Sequence, residues 1–390
     1  MKSPLSFTIG LFVVWVLAGC ASSASVVPAA LTSLEAPEGA IMVVIDDPRS
    51  ERRRRGIGSP GYSANLAYHD DPTLKRAADK LAVDHGLTLV SQWPLRNLAV
   101  HCLVVEAPSP QALQALQQDA RVRWVQPFNE FATQSTTAAP VNVPKPNIRH
   151  WFSTLDGQGA GVTIAVVDTA IDQSHPDLSG SSIRQTNFAG SRGRPTEEEH
   201  GTAVVGLIAA SASTPQGVTG FAREADVQVL RACWQLQGKL VGHCNTLTLA
   251  LALDAAIDLE PAVLNLSLTG RYDRVLEELL GVLLDSGTIV IAAYDDERPQ
   301  TERFPAARAG VVYAYGAANV NSSPQERSVN ILNAPRHAMS LAPMAGYDLV
   351  SGHSIAAPHI SALAARLIEG KPDASRDEIV GQLRSWLGAE

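Results

Sequence analysis

The chain has 390 residues, enough for two or three domains, and 45% of them are hydrophobic, ample for a sizeable core. A formal net charge of −8 excludes a general nucleic-acid binder, so no nucleic-acid partner is expected. The basic run Arg52-Arg53-Arg54-Arg55 reads as a solvated linker, with a processing site or a membrane-facing patch as the other readings.

From the N-terminus, Lys2 precedes an apolar run from Ile9 to Val16, which ends in Leu17-Ala18-Gly19-Cys20. That run is too short to span a bilayer as a permanent helix and closes on small residues, so 1–19 predicts a signal peptide and export. Leu17-Ala18-Gly19-Cys20 resembles the bacterial lipobox, which implies a lipidated Cys20 as the mature N-terminus. An ordinary signal peptide followed by a chance cysteine is the alternative. Ala21 is similar to an outer-membrane sorting residue, and a multiply acylated end holds stably to a membrane. The expected location is therefore the bacterial cell envelope, anchored at the outer membrane. In an oxidising compartment disulfides are allowed. Cys233 and Cys244 flank a short Gly-bearing segment and are the disulfide candidate, whereas Cys102 sits in an alternating apolar run and reads as a small core residue. A zinc site from Cys233, His243 and Cys244 has poor ligand spacing.

Residues 20–39 are rich in Ala, Ser and Pro, the composition of a tether. Ala40 to Ile45 predicts a strand. Asp71-Pro72 opens a helix with apolar positions at Leu74, Ala77, Ala78, Leu81 and Ala82, and Gly86 closes it. Leu87 to Trp93 and Leu98 to Glu106 predict two strands joined near Pro94. Pro108-Ser109-Pro110 starts a second helix that ends about Gln118, and Val122 to Val125 predicts a last strand. The order β-α-β-β-α-β is that of a small ferredoxin-like α+β domain, here 40–133. Residues 134–146 read as an exposed, protease-accessible linker.

In 147–390, apolar runs alternate with helical patterns. Strands are predicted at Gly161 to Val167, Val227 to Arg231, Ala262 to Ser267, Thr288 to Ala293 and Gly310 to Gly316. Helices are predicted at Thr202 to Ala210, Leu247 to Asp258, Arg274 to Asp285 and Ser354 to Glu369. This alternation predicts a doubly wound, mostly parallel α/β sheet.

Three segments of this second domain carry chemistry. Val166-Val167-Asp168-Thr169-Ala170-Ile171-Asp172 is an apolar strand ending in a carboxylate, where open α/β sheets place functional groups. His200-Gly201-Thr202-Ala203-Val204 sets an imidazole at the start of a small-residue helix, with Gly201 permitting a close approach. Ser351-Gly352-His353-Ser354-Ile355-Ala356-Ala357-Pro358-His359 presents a serine at a turn into an Ala-rich helix. A serine hydroxyl attacks well only when a histidine takes its proton and a carboxylate orients that histidine. Taken singly, the first is as often a helix cap or turn carboxylate, a lone histidine is usually a surface or core residue, and the serine stretch is more often a capped helix than a nucleophile.

Together the three resemble the signature segments of the subtilisin family of serine proteases, in the order Asp, His, Ser. The resemblance implies Ser354 as nucleophile, His200 as general base and then acid, and Asp168 as orienting carboxylate. It also implies that Leu266-Ser267-Leu268-Thr269-Gly270 pairs with a polypeptide substrate by strand addition. The first domain is similar to the family's inhibitory propeptide, which implies a zymogen that cuts itself between about residues 131 and 147. This chain departs from the family pattern at Ala170 (usually Gly), at His353 (usually Thr) and at Asp295, where an Asn donor to the oxyanion is usual. An ionised Asp295 would slow acyl transfer by about a hundred- to a thousand-fold. A protonated Asp295 in an apolar pocket, Asp296, Asn319 or His353 are the candidate substitutes. Calcium is frequent in the family, but no Asp-rich loop marks a site. Asp172, His175 and Asp177 read as braces, and Glu197-Glu198-Glu199 reads as a solvated acidic face. The rival readings are a lipid-anchored, catalytically impaired peptide-binding module, an α/β-hydrolase, which needs its acid and histidine after the serine, and a nucleotide-binding fold, whose Gly-rich fingerprint is missing.

Overall fold

The computed structural model describes residues 36–47, 72–133, 136–137, 148–236, 241–317, 328 and 330–387. The expected signal peptide, Cys20, the arginine run, most of the 134–146 linker and Asn319 lie outside the described residues. Among the described residues, no helix is long and apolar enough to cross a membrane.

The first domain comprises β1 (Ile41–Asp46), α1 (Pro72–Asp84), β2 (Leu89–Leu95), β3 (Val100–Val105), α2 (Pro110–Gln118) and β4 (Val122–Pro127). Its sheet is antiparallel in the order β2-β3-β1-β4, the ferredoxin-like arrangement. Side chains alternate across each strand. Val43, Ile45, Leu103 and Val105 meet Ala78 and Leu81 of α1 and Leu116 of α2. Met42, Val44, Trp93, Cys102, Val104 and Trp124 on the opposite face join a core that continues into the second domain. Pro94 lies inside β2 rather than at the turn, which falls at Arg96–Ala99, where Ala99 has φ 53°. Because β2 is an edge strand, the missing proline N–H costs little ladder bonding.

The chain then forms β5 (Glu130–Thr133), β6 (Thr136–Thr137), α3 (Ile148–Ser153), β7 (Thr163–Asp168), β8 (Ile183–Asn187), α4 (Glu199–Ala209), β9 (Asp226–Arg231), β10 (Trp234–Gln235) and β11 (Gly242–Asn245). After these come α5 (Thr246–Leu259), β12 (Val263–Leu266), β13 (Leu268–Gly270), α6 (Arg274–Asp285), β14 (Ile289–Ala293), β15 (Val312–Ala317), β16 (Ile331–Pro335), β17 (His337–Ala342), β18 (Gly346–Ser351), α7 (His353–Gly370) and α8 (Arg376–Leu387). Seven strands make a parallel sheet in the order β16-β15-β14-β12-β7-β9-β8. Ile164 and Val166 of β7 face a core with Val204 and Ile208 of α4 and Ile360 and Leu363 of α7. Ala165 and Val167 face the core of α5 and α6 on the other side. Helices on both faces explain why β14 is apolar at every position and β7 from Ile164 to Val167. Chain direction across the sheet reverses between β7 and β12, and there the carboxyl ends of adjacent strands open a crevice.

Candidate active site

Asp168 ends β7 in that crevice, fully buried. Its carbonyl accepts the N–H groups of Ala232 and Cys233, each at 3.0 Å, which fixes the strand end. Its Oδ1 accepts Thr169 N–H at 2.7 Å and His200 Nδ1–H at 2.6 Å. With its proton on Nδ1, His200 presents the lone pair of Nε2, which is buried and has no hydrogen-bond partner within the protein. Gly201 makes this pairing possible: a Cβ there would stand 2.5 Å from the Thr169 carbonyl oxygen, so only glycine lets α4 touch the loop after Asp168. Gly201 N–H also donates to Thr169 Oγ1 at 2.8 Å.

Ser354 is the second residue of α7, buried, after Gly352 at φ 143°, a backbone region open to glycine. Pro358 has no N–H for the Ser354 carbonyl four residues earlier. Ser267 Oγ, just beyond β12, donates to that carbonyl instead, at 3.0 Å. Asn265 Nδ2 donates to Ser267 Oγ at 2.9 Å, and Ser361 Oγ donates to Asn265 Oδ1 at 2.9 Å. This chain of bonds fixes the first turn of α7 against the end of β12. His200 is bonded to the end of β7 and Ser354 to the residue just after β12, so both lie at the carboxyl edge of this pair of parallel strands, as Asp168 does.

Behind Asp168 lies a pair that the sequence reading placed wrongly. Glu198 is buried rather than on a solvated acidic face, because Arg231, also buried, ends the apolar strand β9 beside it. Arg231 Nη2 donates to Glu198 Oε1 at 2.6 Å, and its Nε donates to Oε2 at 3.2 Å. Glu198 Oε2 also accepts Ala170 N–H, and Arg231 Nη1 reaches Asn187 Oδ1 at 3.0 Å and the Gly190 carbonyl at 3.1 Å. An arginine closing an apolar strand was the sequence signal for a buried partner. Gln235 Oε1 accepts the N–H of His200 at 3.2 Å and adds a second support for α4.

Strand β5 lies between β11 and β13, antiparallel to both, with Ala132 opposite His243 and Thr269. Of the residues expected to receive a peptide, Leu268, Thr269 and Gly270 form this edge, and Leu266 and Ser267 lead into it. Phe131 is buried over the bare face of Gly270, where a Cβ would meet its ring at 2.3 Å, and its centroid is 6.4 Å from that of Phe304. Three residues after Thr133, the end of β5, Thr136 and Thr137 of β6 pair with Ser351 and Val350 of β18, the strand that runs into Ser354. A disulfide joins Cys233 to Cys244 of β11 and pins that edge, so neither sulfur is available to zinc. Cys102 is free and buried.

The first domain docks beside this cleft. Gln126 Nε2 and Asn129 Nδ2 donate to the two oxygens of Asp273 at 2.8 and 3.0 Å, and Asp273 Oδ1 also caps α6 by accepting Val275 and Leu276 N–H. Asn97 N–H donates to Asp254 Oδ1 of α5 at 3.0 Å, and the Arg274 guanidinium lies 4.4 Å from the Trp124 ring centre.

At Asp295 the geometry corrects an expectation. Its Oδ1 accepts Glu297 N–H at 3.0 Å, and Arg298 Nε stands 3.5 Å from Oδ2. Facing a cation and an N–H donor, the group acts as an acceptor and does not sit in the apolar pocket that the donor reading requires. Asp295, Asp296 and His353 bring ligand atoms within 4.8 Å of one another. The set does not fit calcium, which takes oxygen ligands, and His353 Nδ1 already accepts Gly316 N–H at 3.1 Å. Asp177 is no calcium ligand either: its oxygens accept Ser213 N–H and Oγ–H, Val218 N–H and Tyr347 O–H. Asp172 accepts from Ser174 and Met344, and His175 accepts Asp177 N–H at Nδ1 and donates from Nε2 to the Gly346 carbonyl at 3.0 Å, so both brace the hairpin β17–β18.

Residues 159–387 match the Subtilase family. The "Thermophilic serine proteinase" of Bacillus sp. (strain AK1) is 30% identical over 215 residues, 53% of this chain, which spans about half (52%) of that protein's length. "Subtilisin NAT" of Bacillus subtilis subsp. natto is 28% identical over 293 residues, 70% of this chain and 72% of its own length, so the likeness extends beyond the family match. Among solved structures, fervidolysin from Fervidobacterium pennivorans, "a keratinolytic enzyme related to subtilisin", superposes over 90% of this chain and 57% of its own, with a TM-score of 0.67 at 19% identity, and shares the fold.

Proposed function

This chain belongs to the subtilase family, and we propose that it is a serine endopeptidase that cleaves polypeptides through an acyl-enzyme on Ser354, made as an exported precursor with an N-terminal propeptide. In this reading Ser354 Oγ attacks the peptide carbonyl as His200 Nε2 takes its proton. Asp168, 2.6 Å from Nδ1, stabilises the imidazolium, and His200 returns the proton to the leaving amine before water repeats the sequence on the ester.

The observation that carries this reading is the seat of the chain's own strand β5. A segment hydrogen-bonded between β11 and β13, continuing into β6 beside the strand that leads to Ser354, lies as a peptide substrate would. The spacing supports a self-cleavage point in the dipeptide between Thr133 and Thr136, Gln134-Ser135. Export by 1–19 and lipid attachment at Cys20 would hold the precursor in the cell envelope at the outer membrane. Cleavage would separate the catalytic domain from that anchor, and the bonds from Gln126 and Asn129 to Asp273 favour the two parts staying together afterwards.

The test compares full-length wild type with Ser354→Ala by intact mass and by labelling with a serine-directed phosphonate. Wild type is expected to yield a fragment beginning at or next to Ser135 that carries one label, and Ser354→Ala to stay whole and unlabelled. A single whole, unlabelled species in both would contradict the proposal and favour a peptide-binding module.

A further inference from the structure

The residue before Ser354 holds a proton that no group accepts by a hydrogen bond. His353 opens α7 with its side chain 3% exposed. Gly316 N–H donates to Nδ1 at 3.1 Å, so the neutral ring carries its proton on Nε2. That Nε2 is buried and unpartnered, and Asp295 Oδ1, 3.7 Å away, is beyond hydrogen-bond reach. A buried donor left unpaired is costly and calls for a use.

Its surroundings keep the ring neutral. Arg336, Asp295, Asp296 and Glu297 act on it electrostatically, and the Tyr315 ring packs 5.1 Å away. Burial lowers its pKa and Arg336 adds to the effect, together outweighing the three carboxylates, which raise it. A proton on Nδ1 would also be set against Gly316 N–H. At neutral pH, therefore, His353 is a fixed Nε2–H donor.

The neighbouring Ser354 lies in the first turn of α7, where backbone N–H groups lack partners within the helix. When Ser354 Oγ attacks a carbonyl, the C–O bond forms, the carbonyl electron pair moves onto oxygen, and the Ser354 proton goes to His200. The oxygen that becomes negative needs preorganised donors. Asp295, already an acceptor, has none to offer.

We propose that His353 Nε2–H is the side-chain donor to this oxyanion, with the Gly316 N–H bond to Nδ1 holding the ring in place. The assignment rests on the serine-endopeptidase reading. His353 keeps its proton throughout, as the tetrahedral intermediate collapses, the C–N bond breaks and His200 protonates the amine.

The experiment measures kcat and KM on a chromogenic peptide anilide, with phosphonate labelling of Ser354 in each protein. His353→Leu is expected to lower kcat by about a hundred- to a thousand-fold with KM little changed. His353→Gln, which keeps an N–H near the Nε2 position, should remain within about tenfold of wild type. Adding Asp295→Asn to His353→Leu should restore activity by supplying an amide donor, a rescue that a merely structural loss would not show. Activity of His353→Leu within about threefold of wild type overturns the proposal, as does a loss that neither Gln nor the Asn background relieves. Inhibition by added zinc that vanishes in His353→Leu also overturns it, because zinc would need a lone pair on Nε2. Ser354 left unlabelled in wild type overturns the endopeptidase reading as well. A labelled Ser354 with an indifferent His353→Leu overturns the donor assignment alone.

Discussion

His200 donates from Nδ1 to Asp168 at 2.6 Å, whereas His353 accepts at Nδ1 from Gly316 N–H and has Asp295 3.7 Å from its Nε2. Each pair sets an imidazole against a carboxylate, yet the two rings are set to opposite tasks. In the first the carboxylate accepts a hydrogen bond from Nδ1–H and leaves a lone pair on Nε2. In the second a backbone amide donates to Nδ1 and leaves the proton on Nε2. The difference teaches that the partner of the far nitrogen, rather than the nearness of a carboxylate, decides whether an imidazole is a base or a donor.

Changing the carboxylates separates the two pairs most sharply. Asp168→Asn releases His200 to the wrong tautomer and is expected to cut kcat by about ten-thousand-fold, read on the same peptide anilide. A loss below about a hundredfold would show that Asp168 does not set the tautomer.

The next effect concerns the support behind the first pair. Glu198→Gln leaves the Arg231 charge buried without its counter-ion and should destabilise the fold by about 3–5 kcal/mol, measured by urea unfolding of the full-length Ser354→Ala protein. Unchanged stability would mean that the Arg231 bonds to Asn187 and Gly190 alone suffice.

What the sequence could tell follows from how local each feature is. Asp168, His200 and Ser354 were readable because each closes or opens a regular element whose apolar pattern is explicit, β7, α4 and α7. The helices Pro110–Gln118 and Arg274–Asp285 were likewise marked by their caps, Ser109 and Asp273. Strands β5, β11 and β13 were not readable as a unit. They have three or four residues each and exist by pairing Phe131 with Cys244 and Gly270, far away in the chain. The hairpin β17–β18 escaped notice because its outer face is half exposed and its alternation weak. Glu198 was misplaced for a related reason: its partner Arg231 is thirty-three residues away, and only the folded sheet brings them together.

The smallest effect expected is on protonation, and it tests the contrast between the two rings directly. Burial lowers the His353 pKa, so at pH 6.5, where an ordinary imidazole is half protonated, His353 stays mostly neutral, and it takes up its proton only as the pH falls further. Nitrogen-15 NMR of the histidine side chains in full-length Ser354→Ala, assigned by single histidine replacements, reports which ring nitrogen carries the proton. The account predicts a proton on Nδ1 of His200 and on Nε2 of His353 at pH 7. Finding both rings in the same tautomer, or His353 doubly protonated at that pH, would contradict it.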